Sequence, residues 1–136
     1  MRTLARRIAR WPAAIACVTA IFAGSSIPAG RAGAIPRTVP GIGFPTDKIA
    51  HVGEFAALAF VLTGALRHGE PHPMRPATAA LAALAAGVAF GALDELHQRA
   101  VAGRVAAWDD IAADAFGSGA GALAAFILLR DPAAAA

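Results

Sequence analysis

Charge is scarce in this chain and cysteine nearly absent. Charged residues make up 15% of its 136 positions, against about 25% in soluble domains. The single cysteine, Cys17, lies in an apolar run, which excludes an intramolecular disulfide and a multi-cysteine metal site and leaves redox chemistry without a basis. The basic residues form no stripe with interleaved aromatics. The net charge of +3 and pI of 10.4 therefore do not point to nucleic acid, and no nucleic-acid partner is expected. What is present is apolar: 57% of residues are hydrophobic and the mean hydropathy is +0.58. A chain of this length has room for one domain, residues 1–136, and this composition predicts an all-α integral membrane protein.

Four apolar runs set the architecture. The first, Trp11 to Ile27, follows Arg2, Arg6, Arg7 and Arg10, a cluster that the positive-inside tendency keeps in the cytoplasm. The others run from about Ile49 to Leu66, Ala77 to Leu93 and Ile111 to Leu129, with Gly69, Pro71, Pro73 and Pro76 punctuating the middle loop. Each approaches the roughly 20 residues that cross a bilayer core, and none carries the polar stripe of a surface helix. The expectation is a bundle of about four transmembrane helices, near 11–29, 47–66, 77–98 and 110–129, with both termini cytoplasmic. Arg67, Arg75 and Arg130 then join the amino-terminal arginines inside, while Arg31, Arg37, Lys48, Arg99 and Arg104 fall outside. An alternative is a cleavable secretory signal over residues 1–34, since Ala32-Gly33-Ala34 fits a small-residue cleavage site. Cleavage would leave three helices and the same outer face.

Gly87 and Gly91 in the third run, and Gly117 and Gly121 in the fourth, have the spacing that lets membrane helices approach closely. An Ala/Gly-rich composition produces such pairs by itself, and spacing alone does not choose.

The polar residues are not scattered. Asp47, Glu54, Asp94, Glu95, Asp109, Asp110 and Asp114 all fall at the outer side of this topology, beside Lys48, His51, His97, Gln98 and Arg104. Asp47, His51 and Glu54 stand at i, i+4 and i+7 of one helix and so share a face. Glu95 and Gln98 are one turn apart at the end of the third helix, as are Asp110 and Asp114 at the start of the fourth. A charge held within a membrane costs about 2.5–3.5 kcal/mol unless it faces protein, water or a partner, so three or four on one side predict an internal polar pocket. Asp94 and Asp109 read more simply as interfacial charges or helix-end residues. Trp11 and Trp108 read as interfacial anchors, and His68 and His72 as solvated loop residues.

Asp47-Lys48-Ile49-Ala50-His51 with Glu54-Phe55, then Asp94-Glu95-Leu96-His97-Gln98, Gly103-Arg104, and Asp110 to Asp114 to Gly117 together resemble the VanZ-like membrane proteins. The resemblance covers about residues 25 to 121 and includes Ser25-Ser26-Ile27-Pro28 at the end of the first helix. It favours a retained first helix in a bacterial cytoplasmic membrane. Ala102 stands where the family often has Pro, Phe55 where it has Tyr, and Ala107 where a small hydroxyl residue is frequent. The resemblance implies a link to tolerance of teicoplanin and supplies no reaction.

The residues themselves suggest chemistry on an envelope lipid or cell-wall precursor. Glu95 is the expected general acid or base, with His51 sharing the task. Lys48 and Arg104 are expected to hold an anionic head group. Gln98, Asp114, Asp47, Glu54 and Asp110 complete the binding set. No cofactor or metal is expected, because a compact His-rich motif is lacking; a metal would draw on His51, Asp47 or Glu54, and Glu95. The competing reading is a structural or lipid-binding protein whose polar groups form a salt-bridged knot between helices. Without an inverted repeat, transport by four short helices would need a homo-oligomer.

Overall fold

A computed structural model describes residues 10–32, 45–69 and 72–129. Arg2, Arg6, Arg7, Arg37 and Arg130, used above to orient the chain, Pro71 of the middle loop, and Gly33-Ala34 of the alternative cleavage site lie outside the described residues. The elements are α1 (Arg10–Ser25), α2 (Ala29–Ala32), α3 (Thr46–His68), α4 (Pro76–Gln98) and α5 (Trp108–Leu128), and no strand occurs among the described residues.

Three helices, α3, α4 and α5, are long and apolar enough to cross a membrane, with mean hydropathies of 1.7, 1.8 and 1.6. At 23, 23 and 21 residues they reach about 31–35 Å at ~1.5 Å per residue, matching a hydrocarbon core of about 30 Å. The first helix has 16 residues, about 24 Å, and stops at Ser25 rather than near residue 29. The Ser26 hydroxyl donates to the Phe22 carbonyl at 2.6 Å, and Ile27 precedes Pro28, which disfavours helical backbone. At the other helix ends, Pro76 occupies the first turn of α4, where its missing N–H costs nothing.

Burial is inverted relative to a soluble fold. Leu81, Leu93, Leu96, Phe116, Leu123 and Leu128 point outward, while His51, Asp94, Glu95, Gln98, Asp110, Asp114 and Ser118 are buried. Such a distribution suits a lipid solvent, in which apolar surface is stable outside and polar groups must find partners inside. The apolar core is small: Ile21, Phe55 and Leu58, with Cys17 and Phe90 against them. The Phe55 and Phe90 rings lie 5.9 Å apart at 35°, a tilted aromatic pair.

Glycine sets the helix contacts. A Cβ on Gly117 would collide with the Val52 carbonyl, and one on Gly121 with the Ala56 carbonyl, so α5 rests directly on the α3 backbone. Gly87 and Gly91 do something different. Their missing side chains make room for the Ser118 side chain and for Asp114, whose Oδ2 lies 2.6 Å from the place of a Gly91 Cβ. The small-residue pairs are therefore contacts, not background composition.

Candidate functional site

Alternating helix directions bring the end of α1, the start of α3, the end of α4 and the start of α5 to one end of the bundle. The polar side chains gathered there separate into two groups with different chemistry.

The first group is satisfied and ties helices together. Asp94 accepts from Ser25 Oγ at 2.6 Å and from Gln98 Nε2 at 2.9 Å, so both of its oxygens are occupied. Ser26 Oγ and His97 Nε2 are 3.0 Å apart, and His97 stacks on Phe22 with ring centroids at 4.3 Å. Arg104 donates from Nη2 to the Gly24 carbonyl and from Nε to the Ile27 carbonyl, both at 3.2 Å. Ala29 N–H donates to the Ala102 carbonyl at 3.3 Å, and Gly103 takes φ +76°, a left-handed turn that glycine accepts without strain. Together these bonds fasten the end of α1 to α4 and to the α4–α5 loop.

The second group is not fully satisfied. His51 of α3 meets Asp114 of α5, with Nδ1 and Oδ1 2.8 Å apart. A carboxylate only accepts, so in the neutral ring Nδ1 carries the proton and Nε2 keeps the lone pair. That nitrogen lies 3.8 Å from Asp110 Oδ1. Lys48 Nζ is ion-paired to Asp110, and stands 3.0 Å from Asp109 and 3.7 Å from Asp47. Glu95, 2% exposed, accepts the Ala107 N–H through Oε2 at 2.9 Å. Ala107 caps α5 without a side-chain bond of its own, so a carboxylate from α4 supports the start of α5. The other Glu95 oxygen, Oε1, and Asp114 Oδ2 are buried with no hydrogen-bond partner. Leaving a buried polar atom unpaired costs about 1–3 kcal/mol, and more for a charged one.

A small opening at this end reaches one member of the group, Glu95, and is otherwise lined by Arg99, Ala106, Ala107, Trp108 and Ile111. Arg99 and Trp108 are exposed there. Neither was singled out by the sequence as part of a site, although Arg99 directly follows Gln98.

Of the residues the sequence nominates, His51, Glu95, Asp110, Asp114 and Lys48 come together. Asp47 joins only through Lys48 and is exposed. Gln98 and Arg104 sit in the satisfied group, on Asp94 and on carbonyls of the α1 end. Glu54 is exposed on α3, outside the bonds that link His51 to Asp114. The sequence missed Ser25, Ser26 and His97 as partners. The signal was present in two hydroxyls beside a helix-ending Ile-Pro and a His one turn after Asp94. Ser118 was missed as well, although it lies one turn beyond Asp114 on the buried face of α5.

No curated protein and no solved structure matches the chain. A family model described as VanZ/LLP1 matches residues 8–129, a span that includes α1, both polar groups and all three membrane-length helices. The chain therefore belongs to the VanZ-like family of membrane proteins.

Proposed function

We propose that this VanZ-like protein binds the anionic head group of an envelope lipid or cell-wall precursor at the polar end of its bundle, on the extracytoplasmic face of a bacterial inner membrane. The reading is carried by the opening at the bundle's end, where the exposed Arg99 stands beside Glu95, whose buried Oε1 has no hydrogen-bond partner. A cluster that served only to fix helix packing would gain from pairing every polar atom, since half-satisfied networks are worse than none. Arg99 supplies positive charge for a phosphate or pyrophosphate at the opening, Lys48 being held by Asp110, Asp109 and Asp47, and Trp108 suits the head-group level of a bilayer. Glu95 and His51 are the groups able to move a proton if the bound lipid is also transformed. Both termini are then cytoplasmic, and a tolerance of teicoplanin follows from altered precursor chemistry at the outer leaflet.

A second reading is favoured for one part of the molecule. Ser25, Asp94 and Gln98 form a closed set of hydrogen bonds, which is what a packing knot requires. The two readings separate in one experiment. Wild type, Glu95→Gln and Asp94→Asn are expressed in a host without relatives of this protein, and membrane levels, teicoplanin susceptibility and envelope lipids are measured. Glu95→Gln is expected to keep normal levels and lose whatever change wild type causes, whereas Asp94→Asn lowers the level of folded protein. Wild-type behaviour from Glu95→Gln, in a readout that wild type clearly shifts, would assign the whole cluster to packing.

A further inference from the structure

Three donors from three helices converge inside the second polar group. His51 of α3, Glu95 of α4 and Asp110 of α5 each present one ligand atom, and these atoms all lie within 4.8 Å of one another. Histidine orientation gives the set a direction. The Nδ1–H of His51 is held by Asp114 at 2.8 Å, which turns the Nε2 lone pair toward Asp110, 3.8 Å away. An outer carboxylate holding the far nitrogen is the usual support of a metal-binding imidazole.

The second observation is the state of Glu95. It is 2% exposed, its Oε2 is fixed by the Ala107 N–H, and its Oε1 has no partner. A buried carboxylate held by one oxygen, with the other free, is a ligand waiting for a cation. Charge points the same way. Asp110 already has Lys48, but no ion pair among the described residues reaches Glu95, in surroundings where an uncompensated charge is costly.

We propose that His51 Nε2, Glu95 and Asp110 bind a divalent transition-metal ion of the Zn2+ or Mn2+ class, with Asp114 as the carboxylate behind the histidine. The inference rests on the reading of this group as a site and not as packing, and it deepens that reading by giving the site a cation. One imidazole with two carboxylate oxygens suits these ions better than Ca2+ or Mg2+, which favour all-oxygen shells. Bonds of about 2.1 Å set ligand atoms roughly 3.4 Å apart in a tetrahedron. The His51–Asp110 pair at 3.8 Å is close to that edge, and a pair at the 4.8 Å limit must close by about 1.4 Å. Lys48 is the competing cation on Asp110. When an ion takes that carboxylate, the ammonium keeps Asp109 at 3.0 Å and Asp47 at 3.7 Å. The sequence does not lead to this set, because Asp110 comes from a helix whose pairing with α3 spacing cannot reveal.

The test uses the full chain in detergent, stripped with a chelator and then titrated with Zn2+, Mn2+ or Mg2+ while bound metal and melting temperature are measured. A single transition-metal ion per chain is expected, raising the melting temperature to a plateau that Mg2+ does not reproduce. Glu95→Gln and Asp110→Asn should weaken binding about tenfold or more, and Asp114→Asn by a similar factor through the histidine. Lys48→Met should tighten binding, an effect that misfolding cannot mimic. Absence of bound ion in wild type, equal stabilisation by Mg2+, or unchanged binding in both Glu95→Gln and Asp110→Asn would overturn the proposal. Failure here, with Glu95→Gln still abolishing the envelope readouts, leaves the lipid site standing without its ion. Ion binding without any envelope readout does the reverse.

Discussion

Adding one methyl group to Gly121 is a sharp probe of how the bundle is held. The new Cβ would meet the Ala56 carbonyl oxygen and lie 2.7 Å from the Ala56 carbonyl carbon and 2.8 Å from its Cα. All three are backbone atoms and cannot swing aside, so α5 must lift from α3 by about 0.8 Å or more to restore ordinary contact at about 3.5 Å. Overpacking of this kind costs about 1–3 kcal/mol, offset by at most ~1 kcal/mol from the better helix propensity of alanine. Gly121→Ala should therefore be destabilised by about 1–2 kcal/mol net. Gly119→Ala is the control: it has the same chemistry, two residues away on the same helix, with nothing within 4 Å of its Cβ. It should be neutral or slightly stabilised. Thermal melting of both variants in one detergent reads the difference directly, because each carries the same propensity gain. Equal melting temperatures would refute the close approach of α3 and α5, and with it the placement of His51 against Asp114, which depends on that contact.

Two further outcomes follow from the geometry. Arg104→Lys keeps the charge but loses the fork that reaches the Gly24 and Ile27 carbonyls together; the end of α1 should loosen, and the rate of maleimide labelling at Cys17, which packs on the Ile21–Phe55–Leu58 core, should rise several-fold, with unchanged labelling counting against the anchor. In a Cys17→Ser background, Trp108→Cys should react with a membrane-impermeant thiol reagent applied to intact cells and His72→Cys should not, while the opposite pattern would invert the proposed orientation.

The sequence made the membrane architecture legible because lipid asks for a simple pattern: long apolar runs, short polar breaks and positive charge on one side. It also made legible that ionisable groups collect at one end, since alternating helix directions follow from the runs. The division of those groups was out of reach. Spacing says which residues of one helix share a face, but which side chain meets which across helices depends on rotation and depth. Glu54 shows the limit. Asp47, His51 and Glu54 look like one face at i, i+4 and i+7, yet His51 and Glu54 differ by about 60° around the axis at 3.6 residues per turn. On a narrow buried seam that angle separates inside from outside: His51 is buried and Glu54 exposed. Arg104 shows another limit. An arginine beside so many acids reads as an ion-pair partner, but here it serves two backbone carbonyls left open where α1 ends.

Gly91 and Asp114 fill a single space between them. The notch left by the glycine is where the carboxylate that orients His51 resides, so neither position is free to vary alone. Enlarging residue 91 displaces the acid, and shrinking residue 114 to a smaller side chain relieves the clash while abandoning the histidine. In a genetic selection, damage caused by Gly91→Ala should thus be suppressed for folding by Asp114→Gly and never for activity, so that a repaired bundle and a lost site would arise from the same second mutation.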